Sequence, residues 1–163
     1  MSEHEKDDES LGRLRRNLRK YPSRPHVGVG AVIIFNKKLL LVKRKYDPDA
    51  GKWAIPGGHL KLGEKAKNGI KREVLEETGI KVKIKGIAGV IDKIMHDNDQ
   101  RILFHYVLVN YETQIVDERF KDGIPELKAM DDAADLKFVK FKDIPQYQIT
   151  DSLTELLHKM DIL

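Results

Sequence analysis

Apolar and polar positions divide the chain into short elements. VGVGAVIIF and KLLLVKRK are apolar runs separated by Asn36-Lys37, which predicts a β-hairpin whose strands are largely buried. YDPDAGKW is rich in Asp, Pro and Gly and predicts a loop. Ala66, Ile70 and Val74 recur at helical spacing, so a helix is expected from about Lys65 to Thr78, stopped by Gly79. Val82 and Ile84 alternate with lysines and open a strand in KVKIKGIAGVIDKIM, HDNDQ is a turn, and RILFHYVLVNYETQ reads as another strand. A polar loop from about Asp117 to Asp132 leads into a last strand, LKFVKF. A final helix, DSLTELLHKM, follows, capped by Asp151 or Ser152. Upstream, residues 1 to about 9 read as a disordered acidic tail. Leu11, Leu14 and Leu18 then share one face of a short helix with Ser10 as its N-cap, ended by Pro22 and Pro25. The expectation is one mixed α/β domain over residues 25–163, preceded by an arm over residues 1–24.

Composition narrows the class. At 163 residues, 40% hydrophobic and 34% charged, the chain suits a single soluble domain. No apolar run approaches the roughly 20 residues of a spanning helix, and MSEHEKDDES lacks the apolar segment of a secretory signal. A cytoplasmic protein with no membrane partner is expected. The absence of cysteine removes disulfides, thiolate catalysis and Cys-held metals. A net charge of +4 favours an anionic partner, but no recognition motif accompanies it, which argues against nucleic acid. Arg13, Arg15, Arg16 and Arg19 give the arm helix a phosphate- or RNA-contacting reading. The plainer reading is a helix docked on the domain or on a second subunit.

EVLEET places Glu73, Glu76 and Glu77 within one helical turn, where like charges three and four apart repel. On a helical wheel Glu73 and Glu77 fall beside or within the apolar face, Glu76 on its flank, and Lys67, Asn68, Lys71 and Arg72 on the solvated arc. Partly buried carboxylates must be protonated, paired or metal-bound. Oxygen-only ligands suit Mg²⁺ or Mn²⁺ better than zinc. Taken alone, EVLEE reads more simply as a solvated acidic turn paired with neighbouring lysine and arginine.

The residues before it reverse that reading. The pattern G-x5-E-x7-R-E-U-x-E-E-x-G-U, with U bulky and aliphatic, is filled at every fixed position by Gly58, Glu64, Arg72, Glu73, Val74, Glu76, Glu77, Gly79 and Ile80. The chain thus resembles the Nudix hydrolases, and its flanks LLLVKRK, KWAIPGG and DDAADLKFVKFKDIP are similar too. The resemblance implies an α/β/α sandwich with a mixed β-sheet between helices. It also implies Mg²⁺-dependent hydrolysis of the pyrophosphate in a nucleoside diphosphate derivative. Glu73 and Glu77 become the expected metal ligands, joined by Glu76 (a third ligand or the base) and by the carbonyl of Gly57. Glu64 becomes an auxiliary residue near the metal, and Arg72 a clamp on a motif glutamate. Lys61 and Gly69 depart from the common pattern, and Gly69 inside a helix implies close packing.

The group beyond the pyrophosphate is read by residues outside the motif. The overall likeness is to small prokaryotic ADP-ribose pyrophosphatases, implying AMP and ribose 5-phosphate as products, with nucleoside triphosphates the alternative substrate and a non-catalytic nucleotide sensor a third reading. Arg44 is a candidate for a terminal phosphate or a surface ion pair. Tyr147 and Asp151 are candidates for the base, with Asp151 also a plain N-cap, and Trp53 reads as core. Glu118, Glu126, Asp131 and Asp132 supply an unranked set of catalytic acids. His59, His96 and His105 need no function. A homodimer with the arm at its interface completes the expectations.

Overall fold

The computed structural model describes residues 3–163, with side chains from Glu5 onward. Helix α1 spans Glu3–Asn17. Strands β1 (His26–Val32), β2 (Ile34–Phe35), β3 (Lys38–Arg44), β4 (Trp53–Ala54) and β5 (Gly57–His59) precede helix α2 (Ala66–Thr78). Strands β6 (Val82–His96), β7 (Ile102–Ile115) and β8 (Ala133–Lys140) then lead to helix α3 (Asp151–Lys159). One sheet has the order β5-β1-β7-β6. It is mixed, since β1 and β7 run parallel, from His26 opposite Tyr106 to Val32 opposite Glu112, while its other pairs are antiparallel. An antiparallel sheet sets β3 between β2, β4 and β8.

Side chains along a strand alternate between its two faces, and here each face meets a helix. Val29, Ala31, Ile33 and Leu40 join Ile70 and Val74 of α2 in one core. Val32, Leu39 and Leu41 join Leu153, Leu156 and Leu157 of α3 in the other. The continuous apolar runs of β1 and β3 follow from this double burial, and the expected α/β fold with helices flanking a mixed sheet is the one observed.

Local departures have local causes. Only the tip of the expected hairpin pairs as such: Ile34 faces Leu39 and Phe35 faces Lys38 across Asn36-Lys37. Both turn residues have positive φ, 49° and 60°, as a two-residue hairpin turn of type I′ needs. The longer β1 pairs instead with β5 and β7. A strand buried on both faces carries no record of its partner in its periodicity. The short β4 and β5 were not expected within KWAIPGG. The caps also shift: α3 is capped by Thr150, whose hydroxyl accepts from the Leu153 N–H, rather than by Asp151 or Ser152.

The acidic stretch, expected as a disordered tail, is helical from Glu3, so Ser10 lies inside α1 and caps nothing; residues 1–2 of that tail lie outside the described residues. Glu and Lys are good helix formers, and acids in a first turn complement the helix dipole. The helix is also turned the other way from a docked amphipathic helix. Leu11, Leu14 and Leu18 are 45%, 56% and 69% exposed, while Arg16 and Arg19 are half-buried against the domain. No described helix is long and apolar enough to cross a membrane.

Candidate active site

Three elements bring the motif together. Strand β5 pairs antiparallel with β1, Gly57 opposite Gly30 and His59 opposite Gly28. Helix α2 is fixed beside it by Ile70 and Val74, both fully buried. Its C-terminus is closed by Gly79 in the left-handed conformation at φ 71°, donating to the Leu75 carbonyl at 2.9 Å. A Cβ on Gly58 would collide with the Glu73 carboxylate, so only glycine lets β5 and α2 approach so closely. Gly69 is tightly packed as expected: a Cβ there would come within 2.9 Å of both Glu64 Oε2 and Leu60 Cδ1.

Arg72 organises the acids. Its Nε and Nη2 donate to the two oxygens of Glu64 at 2.7 and 3.0 Å, its Nη1 to Glu73 at 2.8 Å and to Glu76 at 3.0 Å, and its Nη2 also to the His59 carbonyl at 3.2 Å. The helical wheel placed Arg72 on the solvated arc. Its long side chain instead folds back over the acids, where one guanidinium offsets the repulsion among them.

The four glutamates are electrostatically unlike. The Glu64 carboxyl is held down at about 2 by Arg72 and by the Lys61 N–H. Glu77, only 5% exposed, is pushed up to about 8 by burial, although it accepts from the Gly57 N–H at 3.0 Å. Glu73, 9% exposed, is raised chiefly by burial, against the pull of Arg72. The Glu76 side chain keeps 40% exposure and faces solvent.

Buried carboxylates held above their ordinary range lack countercharge, and all donors here are hard oxygen, so in kind the set fits a divalent cation such as Mg²⁺. It is not preassembled as a cage. Among the described residues no three His, Asp or Glu side chains converge on a metal position, because Arg72 already gathers Glu64, Glu73 and Glu76. Glu73, Glu76, Glu77 and the Gly57 carbonyl are the groups that could hold the ion.

A cleft opens beside Glu77, walled by α1, β1, β5, β7 and the start of α3. Arg44 lines it, donating to the Pro48 carbonyl at 2.7 Å, and forms no ion pair among the described residues. Of the four unranked acids, Asp132 lines the cleft and the charge of Asp131 acts on Glu73, whereas Glu118 and Glu126 do not line it. Asp151 is exposed in the first turn of α3, and Thr150, Ser152 and Leu153 line the cleft in its place. Trp53 is core, edge-on to Tyr147 at 5.5 Å, so neither ring lines the cleft.

Sequence reasoning gave His59 no function and did not single out Tyr106, yet both line this cleft, as do Arg16 and Arg19 of the phosphate-contacting reading. The imidazole of His59 is pushed down to about 3 by burial and by the charges of Arg19 and Arg44, and so is neutral. The one signal available for it was its place directly after the motif's first glycine.

The fold and the sequence are matched by the comparisons with known proteins. The NUDIX domain model matches residues 24–160, and the chain belongs to this family of hydrolases acting on pyrophosphate bonds. It is 34% identical over 134 residues to an ADP-ribose pyrophosphatase of Methanocaldococcus jannaschii, covering 81% of this chain and 73% of that one. A putative 8-oxo-dGTP diphosphatase of Bacillus subtilis is 37% identical over 75 residues, covering 45% and 48% of the two chains. The crystal structure of a MutT NUDIX hydrolase from Burkholderia pseudomallei superposes with a TM-score of 0.70 at 28% identity, covering 84% of this chain and 98% of that one.

Proposed function

We propose that this chain hydrolyses the pyrophosphate of ADP-ribose to AMP and ribose 5-phosphate. The observation that carries the reading is a cleft lined both by the motif's Gly57, Gly58 and Glu77 and by the cations Arg16, Arg19 and Arg44. The likeness to the Methanocaldococcus enzyme over most of both chains supports the substrate.

A bound Mg²⁺, with Mn²⁺ the alternative, would supply charge neutralisation of the pyrophosphate and a more acidic water. Glu73, Glu77 and the Gly57 carbonyl would hold it. Arg72 fixes the rotamers of Glu73 and Glu76, so that their free oxygens are aimed before substrate arrives. Glu76 keeps an exposed carboxylate and is the residue placed to accept a proton from the attacking water. Arg44, without a carboxylate partner among the described residues, is placed to bind a phosphate oxygen.

A second reading, hydrolysis of nucleoside triphosphates to monophosphate and pyrophosphate, is favoured by the likeness to the Bacillus protein, though over under half of either chain. The test is AMP release from ADP-ribose with Mg²⁺, beside a triphosphate panel, with Glu76→Gln as the blank. Glutamate-dependent AMP release supports the first reading. Turnover of triphosphates alone moves the function to the second. Nucleotide binding without turnover would make the domain a sensor.

A further inference from the structure

The floor of the cleft holds two polar atoms that the protein leaves alone. His59 Nε2 and Tyr106 Oη are buried without a hydrogen-bond partner. Tyr106 is only 4% exposed, its ring meets that of His59 edge-on at 5.3 Å, and both residues line the cleft. Buried polar atoms are nearly always paired, and a pair left open together in a cleft calls for a ligand. The cavity measures about 130 Å³, the liquid volume of roughly four waters and so more than a single bridging one needs.

Arginines surround this floor. The charges of Arg19 and Arg44 both act on His59 and on Tyr106, and Arg16 lines the same cleft. None of the three forms an ion pair among the described residues, and only the Nε of Arg44 is committed, to the Pro48 carbonyl, so their charge is left for an anion. The aromatic faces, by contrast, are taken. The Arg16 guanidinium covers the Tyr46 ring at 3.9 Å. The Tyr106 ring is stacked at 6.1 Å on Phe104 and bordered by His59. A sugar hydroxyl, both donor and acceptor, pairs with a phenol and with either tautomer of an imidazole.

We propose that His59 and Tyr106, with Arg16 of α1, Arg19 just after it and Arg44, form a subsite for the phosphorylated sugar half of the substrate. The guanidiniums take the phosphate, and His59 Nε2 and Tyr106 Oη take hydroxyls. The arm helix is then part of the substrate cleft. This rests on the hydrolysis proposed above, and its test is separable from it.

Ribose 5-phosphate cannot be hydrolysed at a pyrophosphate, so its binding to the full chain, by calorimetry or by NMR titration, reads the subsite without turnover. Tyr106→Phe removes only the unpartnered oxygen and keeps the ring packing. The expected result is that Tyr106→Phe weakens ribose 5-phosphate about fivefold to tenfold, the loss of one hydrogen bond. Arg19→Ala should weaken it further, and inorganic phosphate should respond to Arg19→Ala but not to Tyr106→Phe. Ribose 5-phosphate that fails to bind the wild-type chain, or that binds Tyr106→Phe equally well, overturns the subsite. If ADP-ribose is turned over while either of those is found, the subsite falls and the hydrolysis stands. If ADP-ribose is not turned over but binding of ribose 5-phosphate depends on Tyr106, the hydrolysis falls and the subsite stands.

Discussion

Helices α1 and α2 border the same cleft and are held to the domain in opposite ways. Helix α2 lays Ile70 and Val74 into the core and raises its carboxylates beside them. Helix α1 keeps Leu11, Leu14 and Leu18 in solvent and reaches the domain through Arg16 on the Tyr46 ring. Its C-terminal end is followed by Tyr21, whose N–H donates to the Leu103 carbonyl at 3.0 Å and whose hydroxyl donates to Asp97 at 2.9 Å. Packing fixes the first helix to within a rotamer. Charge and a ring contact hold the second, which is a weaker and salt-dependent attachment. The α2 side of the cleft is set by core packing and the α1 side by a surface contact.

The strongest way to test the α2 side is to neutralise an acid. Glu73→Gln or Glu77→Gln should lower turnover of ADP-ribose by roughly 10²- to 10³-fold, equal to several kcal/mol of transition-state stabilisation, with the fold retained by circular dichroism. Wild-type turnover in either variant would remove that acid from the machinery. Stability should split the helices as well. Ile70→Ala is expected to cost about 2–5 kcal/mol in urea denaturation, and Leu14→Ala to stay within about 0.5 kcal/mol. A large loss for Leu14→Ala would mean that the leucine face is covered in solution.

Acidity offers a finer contrast within the motif, measured on metal-free protein. Glu64, held near 2 by Arg72, adds stability above its ordinary carboxylate range, and this is lost as pH falls toward 2. Glu77, raised to about 8 by burial, works the other way. Between the ordinary carboxylate range and pH 8 the unfolded chain has released that proton and the folded one has not, so stability falls as pH rises. Glu77→Gln should therefore raise the melting temperature, most of all above pH 8, whereas Glu64→Gln should lower it at pH 7. The smallest effect expected is on α1 alone. Arg16→Met, which keeps the stem and removes the charge, should speed hydrogen exchange of α1 amides by the worth of one cation–π contact, about 0.5–1 kcal/mol, and leave α2 amides unchanged.

These contrasts also mark what the sequence could say. The spacing that makes α2 a helix is the spacing that names its acids, so element and site were legible together. Arg72 was misplaced because a wheel projects Cα positions, while a long side chain can fold back over its own helix. For α1, periodicity told which residues share a face and not which face is turned inward. The cap of α3 lay one residue from where it was sought, a displacement that backbone dihedrals settle and composition does not. His59 and Tyr106 were out of reach for a deeper reason: what distinguishes them is the lack of a partner, a property of the whole fold that no window of sequence contains.

The lining of the cleft runs along the chain from Arg16 to Leu156. During synthesis the arginines emerge first and the motif acids next, but the wall that includes Thr150 and Leu153 comes last. A chain that already displays every motif glutamate therefore still lacks part of the cleft until Leu156 is in place.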